Sequence, residues 1–269
     1  MKTPAPYTDI HCHVLPGIDD GAKGEREAIA MAEAAWQDGA ATVIATPHQL
    51  GGNAHVTPAT IRAAVESLNA ALARAGIGLQ VLPGADVRIE PELPGLLRRG
   101  EVVTLADRGR HVLLELPHDV YFPLDDLLAS LAKQGLTGVL SHPERNKGMQ
   151  ARLETVEEVV RAGGLIQITA GSLTGGFGRS AKKMAEWCVR KRLVHFVASD
   201  AHDTTRRPFG LTEARDAVAA LADAELADRV VCENPGRLAD GLEISSRASS
   251  RAASRPPSRR QGWFFGFAG

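Results

Sequence analysis

The stretch DIHCHVLPGIDDGA, Asp9 to Ala22, decides the fold. It opens inside the first apolar run of the chain, Tyr7–Cys12, and delivers His11 and His13 at that run's C-terminal end. In a strand, successive side chains point to opposite faces. His11 and His13 therefore share a face, where two imidazoles can hold one ion, and Cys12 looks the other way. One such pair proves little. Its weight depends on what the other strand ends carry.

Further apolar runs read as buried strands at Thr42–Ala45, Leu79–Leu82, His111–Leu116, Thr137–Leu140, Leu165–Ile168 and His195–Ala198. Helical patterning lies between them at Arg26–Gln37, Pro58–Ala75, Leu124–Gln134, Leu153–Ala162, Ala181–Lys191 and Leu211–Leu221. Gly39, Gly76, Gly135 and Gly163 follow four of these, as expected at helix C-termini. Alternating strands and helices predict either a parallel barrel or a doubly wound sheet.

The strand ends choose between them. The second run ends in Thr46-Pro47-His48, the third in Gly84-Ala85-Asp86 and the fourth in Glu115-Leu116-Pro117-His118. The fifth ends in Ser141-His142-Pro143-Glu144-Arg145 and the seventh in Ser199-Asp200-Ala201-His202. Six of seven strands thus present His, Asp or Glu at the C-terminal end. A (β/α) barrel gathers all such ends on one face. A doubly wound sheet gathers only those beside its switch point. The pattern predicts a barrel whose mouth holds several metals. Imidazole and carboxylate without thiolate suit Mn, Zn or Fe. His118 is a further candidate for that face. His111 and His195 begin strands at the opposite end and are expected to be structural, and His55 has no such context.

Composition narrows the class. The chain has 269 residues and a net charge of −1, with 44% hydrophobic and 23% charged residues. That is ordinary for a soluble protein and gives no sign of nucleic-acid binding. No apolar run approaches the roughly 20 residues of a membrane span. The N-terminus lacks a secretory pattern, and Cys12, Cys188 and Cys232 are too far apart for a Cys-x-x-Cys site, so a reducing cytoplasm is expected. Charge is uneven along the chain. Residues 245–269 contain five arginines and no acid, leaving 26 basic against 32 acidic groups in residues 1–244. We expect a folded unit over 1–244 and a Ser/Arg-rich, disordered tail over 245–269. The tail ends in Trp263, Phe264, Phe265 and Phe267, which beside arginines could dock on an anionic membrane surface.

DIHCHxLPGxDDGA, IATPH, LPGADVRI, LLELP, SHPERN, ITAGSLTGGFG and HFVASDAH, in that order, resemble the polymerase-and-histidinol-phosphatase (PHP) superfamily. More narrowly, they are similar to its CpsB/CapC/YwqE-type bacterial protein-tyrosine phosphatases, from about Thr8 to Ile244. The resemblance implies a distorted, TIM-like (β/α)7 barrel with three divalent ions, manganese foremost, with Zn, Fe(II) or Mg as alternatives. Carried over residue by residue, it implies His11, His13 and Asp200 on the first ion and Glu115 and His142 on the second. Asp86 would bridge those two, and Asp20, His48 and His202 would bind the third. The bridging residue is often Glu, so Asp86, one methylene shorter, would alter metal spacing or occupancy. Of the adjacent Asp19 and Asp20, the resemblance selects Asp20. Arg145 and Arg207 fall where the family places phosphate-contacting arginines.

The implied reaction is hydrolysis of phosphotyrosine on proteins. The implied partner is the tyrosine-rich tail of a bacterial tyrosine kinase that controls capsule or exopolysaccharide synthesis. Clustered divalent ions lower the pKa of a bound water, and two arginines neutralise the transferring phosphoryl group. A cysteine route is excluded by spacing. Classical tyrosine phosphatases carry Arg six positions after the Cys, where this chain has Ile18, Val194 and Leu238. Three alternatives stay open: a histidinol-phosphatase-like enzyme, a metal-dependent amidohydrolase, and a catalytically weak regulatory partner of the kinase. The segment from Gly171 to Ser180 reads as a flexible loop shaping the substrate entrance or as a phosphate cradle. Oligomeric state is left open by the sequence.

Overall fold

The computed structural model describes residues 6–245. The arginine-rich tail with its aromatic ending lies outside the described residues from 246 onward, as do the first five residues. Strand segments occur at β1 (Tyr7–Cys12), β2 (Ala40–Ala45), β3 (His48–Gln49), β4 (Gln80–Pro83), β5 (Asp86–Arg88), β6 (His111–Glu115), β7 (Thr137–Ser141), β8 (Leu165–Thr169) and β9 (Phe196–Ala198). Neighbouring strands pair in parallel, in the orders β1-β2-β4 and β3-β5-β6-β7-β8-β9.

These two sheets make one seven-stranded barrel. Pro47, which has no N–H to give a ladder, interrupts the second strand, so β3 continues β2. Gly84 and Ala85 interrupt the third, so β5 continues β4. The ring closes between β9 and β1. There Cys12 bridges Ala201, Asp200 N donates to His11 O at 2.7 Å, and His13 N donates to Ala201 O at 2.9 Å. The predicted (β/α)7 barrel is therefore present, and its broken second and third strands are the distortion.

The helices are α1 (Glu25–Gln37), α2 (Pro58–Ala75), α3 (Leu93–Arg98), α4 (Asp125–Ala132), α5 (Lys147–Ala151), α6 (Glu154–Arg161), α7 (Ala170–Thr174), α8 (Gly178–Arg190), α9 (Leu211–Leu221), α10 (Ala224–Asp228) and α11 (Asn234–Ala239). Helix α2 shows why prediction succeeds where signals agree. Thr57 Oγ1 accepts from Thr60 N, Pro58 opens the first turn, and Gly76 ends the helix at φ 71°. The helices of five or six residues escape prediction because one or two turns establish no periodicity.

Two apolar layers hold the barrel. The outer one lies between strands and helices and includes Cys12, Val43, Leu114, Leu140, Ile166 and Val197. The inner one fills the barrel with Ile10, Ile44, Leu113, Val139, Leu165 and Phe196, and Leu238 and Ile244 pack with it. Above that plug the inward positions turn polar. The register of β1 shifts between Asp9 and Cys12. Ile10 consequently packs in the inner layer while the next residue, His11, reaches polar groups inside the same barrel. No helix among the described residues is long and apolar enough to cross a membrane.

Candidate metal centre

The nine candidate ligands converge at the C-terminal mouth. His11 Nε2 lies 3.2 Å from His13 Nε2, 3.3 Å from Asp200 Oδ1 and 3.6 Å from Asp86 Oδ2. His142 Nε2 stands 3.9 Å from Asp86 Oδ2. His48 faces two ways: Nδ1 is 3.5 Å from Asp86 Oδ2 and 3.6 Å from Glu115 Oε2, whereas Nε2 is 3.6 Å from Asp20 Oδ1. His202 Nε2 is 3.4 Å from the same Asp20 oxygen. Four overlapping groups result: His13, Asp20, His48 and His202; His11, His142 and Asp200; His11, His13 and Asp86; and His48, Asp86 and Glu115. Glu115 and His142, which the resemblance assigns to one ion, fall in different groups, each beside Asp86.

A carboxylate, an amide and a backbone carbonyl fix the rings from behind. His13 Nδ1 donates to Asp19 Oδ2 at 2.6 Å, and Asp19 also accepts from His48 N and Gly21 N. His11 Nδ1 donates to Gln167 Oε1 at 3.0 Å, and His202 Nδ1 donates to Asp200 O at 3.0 Å. Each bond consumes the Nδ1 proton and leaves Nε2 as a lone pair turned into the cluster, the arrangement of metal-binding histidines. Adjacent Asp19 and Asp20 thus part company: Asp20 faces His48 and His202, and Asp19 orients His13. The chain can turn this tightly only with glycine at 21, because a Cβ there would stand 2.0 Å from His13 O. His142 and Asp200 take left-handed backbone at φ 31° and 51° where their strands end, a strained conformation that recurs at functional sites.

The unpaired atoms of the donor set fit a bound cation. Both carboxylate oxygens of Asp86, His48 Nδ1 and His202 Nε2 are buried without a hydrogen-bond partner. A buried anion without donors is costly, and two imidazole lone pairs at 3.2 Å repel one another. Burial pushes His13 and His142 down to about 4, so these two do not supply the missing charge, whereas Asp86, Glu115, Asp19 and Asp20 together push His48 up against its burial. Burial opposes ionisation of Asp200 too, but His11, His142, Arg207 and Arg145 together hold its carboxyl well below the usual range. Glu115 is pushed up to about 7 by burial and by Asp86. Imidazole nitrogens facing carboxylate oxygens fit divalent ions with nitrogen and oxygen ligands.

Arg145 and Arg207 rim the cluster. Both guanidiniums bond Asp200 Oδ2, Arg207 through Nη2 at 2.6 Å and Arg145 through Nη1. Both also stack on Phe177, at 4.4 and 5.6 Å from its centroid. The segment expected to be a flexible loop is instead mostly helical. Residues 170–174 and 178–190 are α7 and α8, and Glu144 Oε1 pins α7 by accepting from Thr169 N and Ser172 Oγ. His118 is exposed, with its ring 6.2 Å from that of His142. His111 and His195 are buried away from the mouth, and His195 Nδ1 accepts from Ile166 N.

Sequence reasoning weighed Asp19 only as a ligand in place of Asp20, and gave no role to Gln167, Glu144 or Phe177. Gln167 left a signal: it is a polar side chain inside the apolar run of β8. Phe177 left one as well, the sole large side chain among the glycines of Gly175-Gly176-Phe177-Gly178.

Residues 7–240 match the profile of a family described as capsular polysaccharide synthesis, CpsB/CapC. The chain is 36% identical over 263 residues to tyrosine-protein phosphatase YwqE of Bacillus subtilis (strain 168), covering 96% of this chain and 99% of that one. It is 32% identical over 208 residues to a putative tyrosine-protein phosphatase CapC of Staphylococcus aureus, covering 76% and 80%. Among solved structures it matches one from a study of YwqE from Bacillus subtilis and CpsB from Streptococcus pneumoniae, described as unique metal-dependent tyrosine phosphatases. The TM-score is 0.84 at 37% identity, covering 88% of this chain and 96% of that one.

Proposed function

Because the chain belongs to the CpsB/CapC family of the PHP superfamily, we propose that it removes phosphate from phosphotyrosine on a protein, the tail of a bacterial tyrosine kinase that governs capsule or exopolysaccharide synthesis. It is a metal-dependent phosphatase. One observation carries the reading of the site: a fully buried Asp86 carboxylate with no donor, ringed by histidines, next to two arginines converging on one point.

In this reading three divalent ions occupy the cluster, manganese foremost. His11, His13 and Asp200 would hold one, Glu115, His142 and Asp86 a second, and Asp20, His48 and His202 a third. When bound, the ions supply Lewis acidity and make water an effective nucleophile near neutral pH. The chain's own residues do the rest. Asp19, Gln167 and the Asp200 carbonyl keep the Nε2 atoms of His13, His11 and His202 turned inward. Arg145 and Arg207 grip the phosphoryl oxygens, for which the planar guanidinium is suited. The entrance lies on the Asp20 and His48 side, where these side chains are 61% and 23% exposed while His11, His13 and Asp86 are sealed. An open mouth suits a residue borne on a polypeptide better than a small phosphate that must be enclosed.

Residues 1–244 form the catalytic unit in this reading, working in the cytoplasm. Residues 245–269, with five arginines beside an aromatic ending, could in addition dock that unit on an anionic membrane surface. The test is phosphate release from a phosphotyrosine peptide and from histidinol phosphate, side by side. Enzyme is stripped with chelator and reconstituted with Mn, Zn, Mg or Fe(II), with His48→Ala as control. Release from the peptide that requires metal supports the proposal. Release from histidinol phosphate alone moves the substrate to small molecules, and no release with metal bound overturns it.

A further inference from the structure

Beside Arg207 and Phe177 lies a pocket of about 230 Å³ between the α7–α8 turn and the segment 206–213. It is smaller than the roughly 300 Å³ at which whole-ligand pockets begin, and suits one side chain. Phe177 and Phe209 form its walls, and Gly171 and Gly176 contribute flat backbone to its lining. A Cβ on Gly171 would sit 3.0 Å from Phe177 Cε2, so glycine there lets the ring lie close. Arg206, whose side chain is 88% exposed, and Glu213 stand at the rim. Arg207 belongs both to this pocket and to the phosphate-facing pair.

Resting on the phosphotyrosine reading, we infer that this pocket is a second subsite, which receives a neutral aromatic side chain neighbouring the phosphotyrosine in the substrate. Its chemistry selects that guest. A charged guest would lose its hydration against two phenylalanine rings, and the guanidiniums are already paired, Arg207 with Asp200 and Arg206 with Asp203, so burial there opposes either charge. A neutral ring lies against two phenylalanines and offers its face to a guanidinium. If the ring is tyrosine, its hydroxyl can donate to Glu213. Contiguity with Arg207 and Phe177 places the guest next to the residue being dephosphorylated.

The test uses the full chain, loaded with the metal that supports activity. Phosphotyrosine peptides differ only at one neighbouring position, carrying Phe, Tyr, Ala, Glu or Lys, and the series is repeated for the positions on either side. At one of these positions kcat/KM for Phe and Tyr should exceed that for Ala by about tenfold, with Glu and Lys no better than Ala. Phe209→Ala should bring the aromatic-to-Ala ratio within about twofold. Phe209→Leu, which keeps apolar bulk if the alanine variant fails to fold, should lower it in part. A flat wild-type series, or a ratio unchanged in both variants, overturns the subsite. Turnover of p-nitrophenyl phosphate alongside a flat series overturns the subsite alone. No turnover of any substrate overturns the phosphotyrosine reading with it.

Discussion

Replacing Phe177 with alanine should weaken catalysis without touching a candidate metal ligand. The ring lies within the roughly 6 Å range of cation–π attraction for two guanidiniums, at 4.4 Å from Arg145 and 5.6 Å from Arg207. Those side chains are only 14% and 25% exposed, but both are ion-paired with Asp200, which offsets much of their charge and keeps each contact near the weaker end of the scale, about 0.5–1 kcal/mol. Together they amount to about 1–2 kcal/mol of positioning, a loss of roughly 5- to 30-fold in kcat/KM. Leucine keeps most of the packing but has no quadrupole, so Phe177→Leu should fall nearly as far. The assay is kcat/KM on an aryl phosphate together with the inhibition constant for inorganic phosphate, which reads the arginines directly. Both should weaken together, while bound metal and the thermal midpoint of Phe177→Leu stay near wild type. Unchanged phosphate inhibition in a folded Phe177→Ala enzyme would refute the idea that the ring holds the arginines in place. So would full activity in Phe177→Leu, which would reduce the ring to a spacer.

Other consequences follow from the layer behind the ligands. Asp19→Asn loses the anionic acceptor of His13 Nδ1 and should weaken metal affinity by about 10- to 100-fold, with activity recovered at excess metal in a metal titration. Gly21→Ala puts a methyl 2.0 Å from His13 O, so calorimetry should show a lower melting temperature and metal analysis a lower content. His111 is held down to about 4, below its ordinary 6.5, by burial and by Arg110. The unfolded chain therefore binds the proton more readily between those values. Its contribution to stability is complete above pH 6.5 and lost as pH falls towards 4, about 2 kcal/mol lower at pH 5 than at pH 7. Urea unfolding at the two pH values should show a drop at least that large, because His13 and His142 are held down in the same way, and His111→Phe should remove about 2 kcal/mol of it. An equal drop in the variant counts against His111 as its source.

Much of the barrel was legible because buried parallel strands advertise themselves as apolar runs. β1 has the bounds the sequence predicted, and the strand-end chemistry separated a barrel from an open sheet. What escaped was whatever interrupts a run. β3 and β5 have two and three residues, too short for any pattern, yet they carry His48 and Asp86. Pro47 was visible as a residue that cannot donate, but a single proline does not reveal that pairing resumes just beyond it. The same limit hid the change of face in β1. Strict alternation puts Ile10 and His11 on opposite sides, whereas the register shift lets one fill the apolar plug and the other the polar mouth.

Asp19 and Asp20 show a different limit. No periodicity governs a turn, so nothing local says which of two neighbouring carboxylates faces an ion and which braces a ring. The distinction rests on where His13 Nδ1 points, a fact of tertiary structure. Gln167 shows the opposite, a signal that was present and unread. A polar side chain on the inward phase of a buried strand is costly to bury unless it is paired. Its presence between Ile166 and Ile168 therefore required a polar partner across the barrel, and the inward residues at the other strand ends were mostly histidines and acids. An amide that accepts through Oε1 can hold a histidine in the tautomer that leaves Nε2 bare without adding a further negative charge beside Asp86 and Asp200. A carboxylate at 167 would hold His11 equally well but would raise the anionic charge that bound cations must offset, so glutamine suits that position on electrostatic grounds.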